Sequence, residues 1–205
     1  MSGMEMASVI FIFILGLNSF KSQFHFGLAN GVSRKTQFIS FMGNAFTLAA
    51  FMALVDNALD YITSLFFTGE SMYIQLYGNR YIAFPTQATF AQNLQIWGEG
   101  LLWSIFLYAI MAMLGYCITL IYYRSNKILK YVVSVTPALL LFVLVPALDR
   151  LTNGSLRIKL ARFMTAIMGF GQTINPYIAM ISFIIGFGIL ALFSFLLIRR
   201  AVIKQ

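Results

Sequence analysis

Two carboxylates hold the most chemical promise in this chain. Asp56 and Asp60 stand four residues apart in "VDNALDY", so on a helix both project from one face. Inside a bilayer such a pair would be an ion or proton site by default. A span that starts at Gln37 has already covered about 19 residues on reaching Asp56, enough to cross. That spacing places the pair at a membrane rim. Glu99 lies between Trp97 and Trp103, residue types of the membrane–water interface, and is expected there. His25 is the only histidine. Flanked by Phe24 and Phe26, with no cysteine or carboxylate nearby, it makes neither a metal site nor a catalytic dyad; packing or headgroup contact accounts for it.

Other motifs are weaker. Cys117, the single cysteine, sits in an apolar run and supports no disulfide framework. Asn153, Gly154 and Ser155 fit a glycosylation acceptor, a short pattern that arises often by chance. "GFGQTINP", Gly169 to Pro176, reads as a turn before the last apolar run. No G-x-x-x-x-G-K-[ST] loop is present, so the chain does not bind nucleotide as a P-loop ATPase. No acid–base pair or nucleophile constellation is visible, and the chain is not expected to be an enzyme.

The elements that position these residues are membrane spans. Of 205 residues, 60% are hydrophobic and only 10% charged, too few charges to cover a soluble domain. The expectation is an all-α integral membrane protein, a single transmembrane domain over 1–205 with about five spans. They fall at 4–20, 37–60, 101–123, 131–148 and 177–198, each close to the roughly 20 apolar residues a crossing requires. Pro137 and Pro146 lie in the fourth, as membrane helices tolerate. The outer loops are 68–98 and 149–176. In the first, Tyr73, Tyr77, Tyr81 and Trp97 suit the headgroup region. In the second, Leu156, Leu160, Phe163, Met164 and Ile167 recur at helical spacing opposite Lys159 and Arg162, predicting an interfacial or re-entrant helix.

The net charge of +8 is read as topology rather than as nucleic-acid binding, because Lys and Arg collect in cytoplasmic loops. Lys21, Arg34, Lys35, Arg124, Lys127, Lys130, Arg199, Arg200 and Lys204 fall on one side with no acidic residue among them. Glu5, Asp56, Asp60, Glu70, Glu99 and Asp149 fall on the other. The expected location is a bacterial plasma membrane, multi-pass, with the amino terminus outside and the carboxyl terminus cytoplasmic.

Between the first two spans, residues 21–36 form a cytoplasmic elbow. A helix can continue through "FKSQFHFGLA", held at the membrane face by Phe20, Phe24 and Phe26. Asn30 and Gly31 then tolerate the left-handed conformation of a helix stop, and Ser33 is a good N-cap for a helix that restarts at Arg34.

An apolar span, the stretch "LNSFKSQFHFGLANGVSRKTQF" and a second long span together resemble bacterial permeases of the type-2 ABC transporter class. In those proteins a G-[VI]-S-R turn follows the second transmembrane helix, in the elbow that docks on a partner ATPase. The match is Gly31, Val32, Ser33 and Arg34, followed by Lys35 and Thr36. The later order is also similar: two spans joined by a basic inner loop, an outer amphipathic helix and a short basic tail. The resemblance implies a docking elbow of Phe24, His25, Asn30, Gly31, Val32, Ser33, Arg34, Lys35 and Thr36. It implies a separate ABC ATPase subunit carrying ATP and magnesium, no cofactor in this chain, and a second permease chain, identical or related. The cargo would be an exported amphiphile: a peptide, lipid or drug. The family usually has six spans with both termini inside. Residues 4–20 stand where its second span belongs, so the first is expected to be missing, through an internal start at Met1 or a short variant. Competing readings are a non-transporting accessory or immunity subunit and an ion-coupled carrier using Asp56 and Asp60.

Overall fold

The computed structural model describes residues 2–66, 70–81, 90–152, 154–171 and 173–199. Arg200, Lys204, Asn153, Gln172 and part of the loop 68–98 lie outside them. The chain is all-α, and among the described residues four helices are long and apolar enough to cross a bilayer. They are α1 (Ser2–Ala29), α2 (Arg34–Ser64), α4 (Phe90–Arg124) and α8 (Pro176–Arg199). A short α3 (Met72–Tyr77) and a 3-10 turn (Gly78–Tyr81) lie between α2 and α4. Among the described residues the extended backbone is limited to one isolated bridge, Phe170 to Ile174.

The fourth expected span is broken. It comprises α5 (Lys127–Leu139), a π-helical stretch at Leu140–Leu144 and α6 (Val145–Leu151), bent by about 40°. The prolines account for the break. Neither Pro137 nor Pro146 can donate the helical hydrogen bond, and each ring crowds the carbonyl four residues back. The ladder widens between them, where Val145 N–H reaches back to the Leu140 carbonyl. Counting this bent pair gives five candidate spans. None of the described residues of α5, α6 or the amphipathic α7 (Ser155–Ile167) is buried. This arm runs outside the four-helix bundle and rejoins it where α7 meets α8.

At the bundle centre, α4 packs against α1, α2 and α8. The α1–α4 crossing is closest, because Gly16 and Gly115 face each other there. A Cβ on Gly115 would stand 2.3 Å from the Phe13 carbonyl oxygen, and one on Gly16 2.2 Å from that of Ala112. Thr119 Oγ1 donates across the same crossing to the Leu17 carbonyl at 2.6 Å. Small residues and a hydroxyl donor are what hold helices together where lipid supplies no hydrophobic drive.

The elements are longer than the apolar runs alone indicate. The first helix continues unbroken from the span through Ala29, and α2 (Arg34–Ser64) extends beyond both Gln37 and Asp60. The segment 90–98, expected in a loop, is instead the first part of α4.

Candidate functional site

The bundle has chemically opposite ends. Its basic end carries the elbow. The α1 helix stops in a Schellman motif: Val32 N–H bonds to the Gly27 carbonyl at 2.8 Å and Gly31 N–H to that of Leu28 at 3.1 Å. Gly31 adopts the left-handed φ of 72° that this stop requires. Ser33 Oγ then accepts from Thr36 N–H at 3.1 Å, capping α2. The predicted stop and restart therefore form at the predicted residues.

Asn30, Gly31, Val32, Ser33, Lys35 and Thr36 are exposed at the tip. Arg34 is half-buried, and its Nη1 donates to the Arg199 carbonyl at 3.0 Å, joining the elbow to the end of α8. Phe24 holds the elbow as expected but has no surface for docking. It is 1% exposed, stacked on Phe20 at 4.9 Å and set edge-on to Tyr123, so it anchors the elbow and presents nothing outward. His25 is partly buried with its ring edge-on to Tyr123. Phe26, expected to hold the elbow alongside Phe20 and Phe24, is 74% exposed.

At the acidic end, buried carboxylates collect hydroxyl donors. Asp56 is 4% exposed. It accepts from Tyr108 Oη at 2.5 Å and from Ser8 Oγ at 2.9 Å. Helix rise places it about 33 Å from Arg34 along α2, near one edge of a roughly 30 Å hydrocarbon layer. The rim depth expected from the sequence is thus compatible with full burial between helices, since depth and burial are separate coordinates. Asp60, one turn on, is half-buried, and its side chain hydrogen-bonds the Glu5 carboxyl. The Glu5 carboxyl lies beside Asp60 and also accepts from Met72 N–H. Among the described residues no group of three His, Cys, Asp or Glu side chains is arranged to hold a metal.

Glu99 is the largest hub. Expected at the interface, it is 4% exposed and ties three elements together. Tyr81 and Tyr73 donate to its Oε2 at 2.5 and 2.9 Å. Gln95 and Tyr177 donate to its Oε1, each at 2.8 Å. Arg80 Nη1 stands 3.6 Å away, its guanidinium over the Tyr81 and Tyr177 rings. Tyr77 Oη donates to the Met168 carbonyl at 2.8 Å, linking α3 to the turn before α8. Tyr73 and Tyr77, expected among headgroups, are core residues against Trp103. Burial raises the Tyr73 and Tyr77 phenols well above the usual range, and burial followed by the bond to Glu99 pushes Tyr81 up to about 12. All three remain protonated donors at neutral pH.

Sequence reasoning found Asp56, Asp60 and the elbow, and missed the Glu99 hub. Gln95, four residues before Glu99, was its one local signal; Tyr73, Arg80, Tyr81 and Tyr177 come from distant segments. No protein-family model matches the chain, and no curated protein or solved structure is detectably similar to it.

Proposed function

We propose that the chain is a membrane-spanning permease subunit of the type-2 ABC class, docking a separate ATPase through its elbow to drive export of an amphiphile. The observation carrying this reading is the elbow itself. An exposed tip from Asn30 to Lys35 stands between two helices that both pack on α4. Aromatic stacking of Phe20 and Phe24 roots it, and Arg34 ties it to α8. A push on such a tip moves α1, α2 and α8 together, which is what a coupling element needs. Val32 and Lys35 are the docking contacts, whereas Arg34 transmits. ATP and magnesium belong to the ATPase, and a second permease chain completes the path.

Val32→Asp with Lys35→Glu tests this. The wild-type chain, purified from its native membrane, is expected to bring a P-loop ATPase with it, and the double variant to lose that ATPase while remaining monodisperse. Undiminished association, or no ATPase with the wild type, overturns the proposal.

A second reading has one observation in its favour. Asp56 is a buried membrane carboxylate, the feature an ion-coupled carrier requires. Transport by reconstituted chain that follows an imposed proton gradient without ATP would select it.

A further inference from the structure

We infer that the pocket between α1, α4 and α5 at the basic end binds the headgroup phosphate of an anionic phospholipid. It is lined by Lys21 and His25 from α1, by Thr119, Tyr122 and Tyr123 from the last turns of α4, and by Lys130 from α5. Its volume of about 320 Å³ is at the small end of ligand sites, the scale of a headgroup rather than of a whole lipid.

The lining sets the chemistry. Both lysines are exposed. Among the described residues neither pairs with a carboxylate, the ion pair there being that of Arg80 with Glu99 at the opposite end. No acidic residue lines the pocket, so a cation would meet two like charges with nothing to offset them. A phosphate accepts from both ammonium groups in charge-assisted hydrogen bonds, and a ring N–H of His25 adds a third donor. The His25 ring is set by its edge-on packing against Tyr123. Tyr122 Oη and Ser134 Oγ share a hydrogen bond that fastens α5 to α4, so Lys130, one turn before Ser134, is held close to the α1 pair.

Two observations favour a lipid as the source of the phosphate. Lys21 lies about 24 Å from Glu5 along α1 by helix rise, so the ammonium on its long stem reaches the headgroup layer at the basic side of the bilayer. An apolar groove of Tyr131, Val132, Val135, Leu139 and Leu140 begins at the residue after Lys130 and offers an acyl chain cover from water. A soluble phosphate would use the pocket and leave that groove empty.

This inference goes beyond the export proposal, since neither ATPase nor cargo enters it. The test counts lipids retained on the purified chain by native mass spectrometry, in neutral detergent titrated with phosphatidylglycerol or phosphatidylcholine. One tightly held phosphatidylglycerol is expected, with phosphatidylcholine bound about tenfold or more weakly. A lysine beside an anionic headgroup is worth about fivefold in affinity, so Lys21→Gln with Lys130→Gln is expected to weaken binding about thirtyfold. Lys130→Gln alone, expected to weaken it about fivefold, keeps the test open should the pair fail to fold. Lys21→Arg with Lys130→Arg keeps the charge and is expected to keep the lipid. Arg157→Gln with Lys159→Gln removes the same charge from α7 and is expected to bind as wild type does. Equal retention of the two lipids, an equal loss in the α7 variant, or unchanged affinity in the pocket variants overturns the inference. Displacement of the lipid by millimolar inorganic phosphate also overturns it, because the pocket would then serve a soluble anion.

Discussion

Gly115→Ala tests the packing that positions every site in this molecule. A methyl group on Gly115 would sit 2.3 Å from the Phe13 carbonyl oxygen and 2.8 Å from the Leu17 amide nitrogen. Both are backbone atoms of α1 and cannot rotate away. Restoring ordinary contact requires α1 to retreat by roughly 1 Å, and interiors packed at crystal density do not absorb that without loss. Overpacking of this kind costs about 1–3 kcal/mol. The same substitution gains about 1 kcal/mol from helix propensity, so the net effect is destabilisation by up to about 2 kcal/mol. For a chain of this size that lowers the melting temperature by up to about 8 °C. The retreat also lengthens the Thr119-to-Leu17 bond, now 2.6 Å, which adds to the loss. The assay is thermal unfolding in detergent, followed by near-ultraviolet circular dichroism, with Gly188→Ala alongside. A Cβ on Gly188 meets nothing within 4 Å, so that variant should keep or raise the melting temperature. If Gly115→Ala melts with Gly188→Ala, the close α1–α4 crossing is wrong.

Two further outcomes are expected. Tyr108→Phe removes the hydroxyl that meets Asp56 at 2.5 Å and leaves a buried carboxylate short of a donor, costing about 1–3 kcal/mol; pairing it with Asp56→Asn in a double-mutant cycle should recover part of the loss, and strict additivity would deny the bond. The Tyr81 phenol, raised to about 12 from an unfolded value near 10, favours the folded cap fully below about pH 10. That contribution is lost as the pH rises from about 10 to 12, because the unfolded phenol ionises first. Phenolate absorbance should therefore show a late-titrating tyrosine that Tyr81→Phe removes, whereas a titration identical in wild type and variant would contradict the hub.

Local physics was legible from residues alone. Composition and run length fix the helical membrane class, because a bilayer leaves the backbone few other ways to satisfy its hydrogen bonds. The elbow at Asn30, Gly31 and Ser33 was legible for the same reason, since a left-handed stop and a side-chain cap depend on neighbours within a few positions. Pro137 and Pro146 read as tolerated residues in the fourth span, and the break between them emerged only in the fold.

What the sequence could not supply is the meeting of distant segments. Whether Asp56 faces lipid or helices depends on where Ser8 and Tyr108 fall, and no periodicity in α2 encodes that. Glu99 sits among tryptophans in the sequence and so reads as an interface residue. In the fold, α3, the 3-10 turn and the start of α8 bring Tyr73, Arg80, Tyr81 and Tyr177 around it. Phe24 and Phe26 are two residues apart on one helix, so they face different directions; packing against Tyr123 buries the first and leaves the second out. The sequence by itself therefore determined the class, the spans and the turn, which are properties of a segment and its solvent. Tertiary structure decided which polar groups are partners, Glu99 with three tyrosines and Asp56 with Ser8 and Tyr108, because hydrogen-bond satisfaction is a property of the assembled bundle.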